Sequence, residues 1–241
     1  LSDHVGGSSF RGVLTGLTEA FVIDESTKDR LVKEDKNSIN LLRLFLLGRD
    51  VKPYSPVEVK KWLILIPKGF TKKGLPINSN HINEPLSQYE DVPYDEAWKW
   101  FAESYPAIAN HLLPFKDRAE SRTDKGDFWW ELRACDYYNE FEKPKIMYQV
   151  FQVKPCFIFD ERGLYCNNSM WFIAKDDKAL VGILNSAMGW WLVSKYCTAI
   201  QNGYQLIWKY FGQVPIPKYD ENQARPIIQI VDQILEARKA N

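Results

Sequence analysis

The spacing of hydrophobic residues changes several times along the chain, and each change predicts a new element. Short apolar runs at residues 13–14 and 21–23 predict two strands, and the continuous run at residues 60–67 predicts a buried strand. Apolar residues recur every three or four positions over residues 35–47 and 94–113, which predicts two helices. Pro106 should kink or split the second helix because proline disrupts helical hydrogen bonding.

The second half of the chain begins with strands and ends with helices. Residues 146–151, 156–159 and 170–173 predict a meander of strands separated by turn residues. Asp176 or Asp177 should cap a long helix to residue 197, with Met188 and Trp191 on its inward face, and a final amphipathic helix should cover residues 225–239. We therefore predict an α+β fold with a strand-rich part at 1–175, into which helix 94–113 is inserted, and a helical part at 176–241.

The stretch from 127 to 148 concentrates planar aromatic side chains among arginine and lysine. Aromatics beside cations can stack on bases while the cations hold phosphates. They can equally fill the edge of a core while the long cationic side chains reach solvent. For Trp129 and Trp130 the core interpretation is favoured, because large aromatics are usually buried.

Composition is that of a globular protein with no net charge. Hydrophobic residues make up 45% and charged residues 26%, and 31 Lys and Arg balance 31 Asp and Glu. Neutrality argues against tight, independent binding of nucleic acid, which depends on neutralising phosphates. The charge is nevertheless uneven, because the acid-free segment between Glu58 and Glu84 carries five lysines: Lys60, Lys61, Lys68, Lys72 and Lys73. These lysines predict either a local basic patch or an ordinary solvated face.

Recognisable catalytic and metal-binding motifs are missing from the sequence. There is no phosphate-binding glycine loop and no Gly-x-Ser-x-Gly elbow. The four cysteines form no Cys-x-x-Cys pair and the three histidines are scattered, so we expect neither zinc nor a disulfide scaffold. No apolar run has membrane-spanning length, and we expect a cytoplasmic protein with reduced thiols. The chain begins at Leu1 without Met, which favours a piece of a longer polypeptide.

Five sequence blocks, spread over nearly the whole chain, occur in a fixed order. They are residues 11–24, 47–54, 129–133, 143–146, and 183–186 followed by 214–217. Together they resemble the TaqI-like C-terminal specificity domain, the target-recognition part of adenine-specific DNA methyltransferases and of fused, type IIG restriction-modification enzymes. The family usually has Asn where this chain has Thr18.

The resemblance implies that this chain recognises double-stranded DNA and makes no bonds itself. In such enzymes a separate N-terminal methyltransferase domain of the same polypeptide binds S-adenosylmethionine and flips the target base out of the duplex. We therefore expect no cofactor in this chain, S-adenosylmethionine in the parent enzyme, and no membrane partner.

Long polar loops with Arg, Lys and Asn are the physical candidates for DNA contacts, since Arg can grip guanine and Lys can hold phosphate. Three further residues stand in the resembling blocks and can either contact DNA or hold the fold: Arg11, Thr15 and Arg49. A non-catalytic, aromatic-rich module for carbohydrate or protein is the alternative function. The candidate loop residues are Lys68, Lys72, Lys73 and Asn78 in one loop and Arg118, Arg122 and Lys125 in another.

Overall fold

The structure, a computed structural model, describes residues 1–7, 9–54, 58–75 and 92–239. Helices and strands are mixed along these residues, which confirms the α+β class. Short 3-10 helices lie at Lys36–Leu41, Gly48–Asp50, Leu113–Phe115 and Tyr138–Glu142. The other elements, in chain order, are α1 (Ser2–Val5), β1 (Phe10–Arg11), α2 (Thr18–Phe21), β2 (Val22–Asp24), α3 (Glu25–Glu34), β3 (Leu42–Leu46), β4 (Lys61–Ile64), α4 (Phe70–Gly74), α5 (Tyr94–Ser104), α6 (Pro106–Leu112), α7 (Lys116–Ser121), β5 (Lys145–Gln149), β6 (Phe151–Gln152), β7 (Phe157–Asp160), β8 (Tyr165–Cys166), β9 (Met170–Ile173), α8 (Lys178–Asn185), α9 (Ala187–Tyr196), β10 (Thr198–Ile200), β11 (Gly203–Gln205), α10 (Trp208–Phe211) and α11 (Glu221–Lys239).

The chain forms two compact units, each assembled from separate stretches of sequence. Unit 1 contains Leu1–Val13, Phe45–Val59 and Tyr137–Asn241, and unit 2 contains Leu14–Leu44 and Lys60–Asp136. This division differs from the predicted boundary between residues 175 and 176. The reason is that the late helices share one core with the strands that precede them, as the packing of unit 1 shows.

Unit 1 is built on an antiparallel sheet in the order β1-β9-β5-β7, with Ile146 of β5 opposite Phe159 on one side and Ile173 on the other. Helix α8 packs against β7 and α11 packs against α8. A second antiparallel sheet has the order β10-β11-β6. The core joins sheet and helices through buried residues that include Ile146, Tyr148, Phe157, Ile173, Leu180, Leu184, Val193 and Phe211.

Unit 2 contains β2, β4 and the first part of β3, adjacent in that order. Val22 of β2 lies opposite Leu63 of β4, so the predicted strand at 60–67 is confirmed at Lys61–Ile64. The predicted helix at 94–113 is also confirmed. It divides at Tyr105 and Pro106 into α5 and α6, as the proline indicated.

Two predicted helices differ from the structure. The helix at 35–47 is instead a 3-10 turn followed by β3, because a short apolar run fits a buried strand as well as a helix. The helix from 176 to 197 begins at the predicted cap Asp177 but breaks after Asn185, where the Ser186 hydroxyl accepts the Gly189 N–H at 3.0 Å and starts α9. The break changes the helical face, so Met188 and Trp191 are exposed and do not face the core.

A buried ion pair joins β5 to β7 inside unit 1. The Lys145 ammonium lies 2.5 Å from the Asp160 carboxylate, and both side chains are at most 1% exposed. The same ammonium donates to the Phe141 carbonyl, and the carboxylate also accepts the Leu164 N–H at 2.8 Å. Lys145 of the block 143–146 therefore serves the fold, because the two buried charges are paired with each other and hydrogen-bonded to the backbone.

Replacing Lys145 by alanine should lower the free energy of unfolding by about 3–5 kcal/mol, because it leaves the Asp160 carboxylate buried without its counter-charge. Urea denaturation followed by tryptophan fluorescence measures the change. The matched control is Lys143→Ala, whose side chain is 56% exposed and pairs with Glu140. It should cost less than about 1 kcal/mol. Equal losses for the two variants would contradict the assignment.

Candidate nucleic-acid interface

The indole of Trp130 is the centre of the unit 2 core. It is fully buried and stacks on Phe128, with ring centroids 4.7 Å apart, and on Phe101 at 5.7 Å. Its N–H donates to the Thr71 hydroxyl at 2.9 Å. Trp129 is 3% exposed and donates to the Tyr94 hydroxyl at 2.8 Å. The core interpretation of both tryptophans is confirmed.

Glu131 places a carboxylate beneath the start of α4. The side chain is fully buried and accepts the N–H groups of Gly69, Thr71 and Asp127, at 3.0, 3.0 and 2.9 Å. A carboxylate at a helix start satisfies N–H groups that have no partner within the helix. Gly126 lies so close that a Cβ there would be 2.6 Å from the Glu131 Cβ, so only glycine fits. Glu131 thus fixes two backbone segments together.

The two segments fixed by Glu131 carry a cluster of lysines around one acid, which we call the Asp127 cluster. The ammonium groups of Lys68 and Lys72 lie 3.5 and 3.3 Å from the two carboxylate oxygens of Asp127. Lys73 is exposed and has no ion pair among the described residues. Two ammonium groups therefore share the Asp127 carboxylate, and Lys73 follows Lys72 on α4.

Arg122 lies inside unit 2, unlike the loop residue that the sequence predicted. Its guanidinium donates to the carbonyls of Ala119, Thr15, Trp129 and Glu131, the last two both at 2.6 Å. It also lies over the Phe21 ring. Burial lowers its pKa to about 10, so the group stays charged at neutral pH. We therefore assign Arg122 to the fold and remove it from the candidate interface.

Arg118 and Lys125, the other two candidates of the second predicted loop, lie at the surface of unit 2. The segment begins with helix α7, and Arg118 on this helix is 61% exposed and pairs with Glu19. Lys125 is exposed and donates to the Glu120 carbonyl. Thr15 is 5% exposed, and its carbonyl binds Arg122, which places it with the structural residues.

Two candidates belong to unit 1. Arg49 is 79% exposed on the turn Gly48–Asp50. This turn is held tightly, since the Gly48 N–H donates to the Asn167 side chain at 3.3 Å and the Gly48 carbonyl accepts from Gln149. Arg11 is exposed on β1. Asn78 lies outside the described residues.

Asn185 has a role that the sequence analysis did not assign. Its amide accepts the Phe157 N–H at 2.9 Å and donates to the Phe157 carbonyl at 2.8 Å, so it mimics a neighbouring strand at the start of β7. In the sequence, only its position within the resembling block 183–186 indicated that Asn185 has a role. Together with Gly48 it shows that several residues of the blocks hold the backbone.

One cavity in unit 1 gathers titratable groups next to α1. Nε2 of His4 lies 2.9 Å from the Asp177 carboxylate and 3.0 Å from the Tyr219 hydroxyl, and that hydroxyl donates to Asp177 at 2.7 Å. Burial and the nearby carboxylate raise the Tyr219 pKa, so the phenol remains a donor at neutral pH. The adjacent Ser2 hydroxyl donates to the Gly7 carbonyl. His4, Tyr219 and Asp177 therefore connect α1 to the N-cap of α8. These three side chains include no nucleophile paired with a general base.

Cysteines and acids show no sign of a metal site in the described ranges. Burial raises the pKa of Cys156 to about 11 and of Cys166 to about 12, so these thiols stay protonated. No group of three potential metal ligands occurs among the described residues. Within the same residues, every helix is too short or too polar to span a bilayer.

Comparison with known proteins identifies the family. The model of the TaqI-like C-terminal specificity domain matches residues 43–216, so the chain belongs to this family. The block at 11–24 lies before the matched range. Among solved structures, the type IIL restriction-modification enzyme MmeI in complex with DNA is similar, with a TM-score of 0.54 and 12% identity. The match covers 97% of this chain and 28% of that one, and at this identity it supports the fold alone.

Arg122→Ala should destabilise unit 2 strongly, because several buried carbonyls lose their donors at once. We expect the free energy of unfolding to fall by roughly 3 kcal/mol or more. Arg118→Ala, which removes an exposed ion pair, should change it by less than about 1 kcal/mol. Urea unfolding of both variants tests the assignment. An Arg122→Ala protein with wild-type stability would contradict it.

Proposed function

We propose that this chain is the DNA target-recognition domain of an adenine-specific DNA methyltransferase, either free-standing or fused to an endonuclease in a type IIG-like restriction-modification enzyme. Family membership is the observation that carries the proposal, because the family is one of specificity domains. The similar structure of MmeI in complex with DNA supports the same class of partner.

In this proposal the catalytic work belongs to a methyltransferase domain elsewhere in the polypeptide. That domain binds S-adenosylmethionine and receives the flipped adenine. No residue of the present chain is assigned to the cofactor or to the methyl transfer. The chain holds the duplex in register, and its side chains decide which sequence is accepted.

The contacts that we propose come from the surface cations. In unit 2 these are Lys68, Lys72, Lys73, Arg118 and Lys125. In unit 1 they are Arg11 and Arg49. The Asp127 cluster is the best-supported group, because Glu131 and Trp130 hold its backbone rigidly while the ammonium groups remain at the surface. Lysines placed in this way suit phosphate contacts, which position a protein on DNA.

A carbohydrate- or protein-binding module was the alternative function. It would need Trp129 and Trp130 as an open platform, and both are buried. Their burial supports the DNA-binding proposal over this alternative.

Replacing Lys68, Lys72 and Lys73 together by alanine in the complete enzyme should weaken DNA binding regardless of sequence. Each lost phosphate contact should reduce the slope of log affinity against log salt by about 0.9. Fluorescence anisotropy with a labelled duplex at several salt concentrations measures both effects. The control is Lys33→Ala with Lys36→Ala, two exposed lysines near α3. Identical behaviour of the two sets would remove the Asp127 cluster from the interface.

The isolated chain should bind the same duplex far more weakly than the complete enzyme. Its 31 cations and 31 anions give no net attraction to phosphate, so the contacts added by a methyltransferase domain are needed. Titrating both proteins at low salt tests this. If the isolated chain and the complete enzyme bound the duplex with equal affinity, this chain alone would supply all of the binding energy. That result would contradict the proposal that a methyltransferase domain adds necessary contacts.

A further inference from the structure

A second acid-free segment of the chain lies entirely within unit 1. No Asp or Glu occurs between Asp177 and Asp220, whereas Lys178, Lys195, Lys209 and Lys218 do. The Lys178 ammonium forms an ion pair with the Asp232 carboxylate at 2.9 Å. Lys195 and Lys209 are exposed and have no acid partner in the described ranges. The segment itself therefore contributes cations and no carboxylates to the surface of unit 1.

Both free lysines lie over exposed aromatic rings. The Lys195 ammonium is 5.4 Å from the centroid of Trp191, whose side chain is 53% exposed. The Lys209 ammonium is 5.5 Å from the centroid of Tyr210, which is 37% exposed. Each ring face attracts its cation and restricts where the ammonium can lie. The lysines are thus oriented as well as unpaired.

The β10–β11 hairpin lies between the two lysines in sequence, and α9 leads directly into it. All three residues of β10 are exposed, and so are Gln201 and Asn202 at the hairpin tip. The opposite strand is fixed, because Tyr204 of β11 pairs with Gln152 of β6 and packs edge-to-face on Trp190 of α9 at 5.2 Å.

Gly203, the first residue of β11 after the hairpin tip, has no room for a side chain. A Cβ there would lie 2.0 Å from the Gln152 carbonyl oxygen, so the close approach of β11 to β6 requires glycine. The exposed tip residues Gln201 and Asn202 are therefore followed directly by a strand that is fixed against β6. Each carries an amide that can donate and accept at once.

This combination matches a known geometry of DNA reading. The major groove of B-DNA admits a two-stranded β-ribbon, and Gln or Asn amides pair with the N6 and N7 atoms of adenine. Lysines beside the ribbon would meet the phosphates at the groove edges. The segment itself carries no carboxylate that would repel the phosphates.

We propose that the β10–β11 hairpin enters the major groove of the target duplex, with Gln201 and Asn202 contacting base edges while Lys195 and Lys209 hold flanking phosphates. This inference rests on the proposed function and adds a base-reading element that the sequence analysis did not name. It concerns unit 1 alone.

The test uses the complete enzyme and a pool of duplexes with randomised centres. Sequences enriched by the wild-type protein define its site, and affinities are then measured for an enriched duplex and for a scrambled one. Gln201→Ala with Asn202→Ala should weaken the enriched duplex by roughly tenfold or more and leave the scrambled one nearly unchanged. Lys195→Ala with Lys209→Ala should weaken both and reduce the salt slope by about 0.9 per lysine.

Controls are surface changes on α11: Asn222→Ala for the amides and Arg238→Ala for the cations, both exposed. Thermal melting checks that every variant is folded. If the tip variant discriminates as well as the wild type does, the hairpin proposal is wrong while the proposed function survives. If the wild-type enzyme itself enriches no sequence, the proposed function fails first. The exposed Trp191 could instead contact a second copy of the chain. If the wild-type enzyme is a dimer, and if Trp191→Ala abolishes the dimer but leaves DNA binding unchanged, this surface belongs to a second copy and the proposal is wrong.

Discussion

The buried carboxylate of Glu131 is the interaction on which the candidate interface depends. It accepts three backbone N–H groups from two segments that are about 60 residues apart in sequence. Removing it would leave those N–H groups without partners in the interior, where an unmet hydrogen bond is most costly. The Asp127 cluster exists only because these two segments are held at a fixed separation. A structural acid therefore determines where the surface cations lie.

The sequence predicted the burial of the tryptophans next to Glu131 but not the burial of Arg122. Trp129 and Trp130 were correctly placed in the core, because large aromatics are buried in most proteins whatever their neighbours. Arg122 was placed on a loop, because its neighbours in sequence are polar and residue type alone does not reveal burial. Its carbonyl partners come from residues 15 to 131, and local spacing carries no information about such distant contacts.

The same limit explains the errors in the fold. The strand β3 was predicted as helix because the apolar residues Ile39, Leu42, Phe45 and Leu46 also fit the spacing of a helical face. Helix α3 was not predicted because its one buried residue, Leu31, leaves almost no hydrophobic stripe. The break before α9 depends on the Ser186 cap, and without it Met188 and Trp191 would have continued the inner face of α8. The exposed surface that supports the hairpin proposal was therefore hidden from the sequence analysis by one capping residue.

A neutral domain can bind DNA if its cations exchange partners at low cost. Lys68, Lys72 and Arg118 pair with Asp127 and Glu19 at the surface, where an ion pair contributes at most about 1 kcal/mol. A DNA phosphate can therefore replace such an acid with little loss of ion-pair energy. For the same reason, each new lysine–phosphate pair at the surface adds little binding energy. Attraction to DNA of any sequence should then be weak, and discrimination must come from base contacts. Phosphate contacts carry no sequence information, so weak attraction to the backbone takes nothing from the discrimination of a specificity domain.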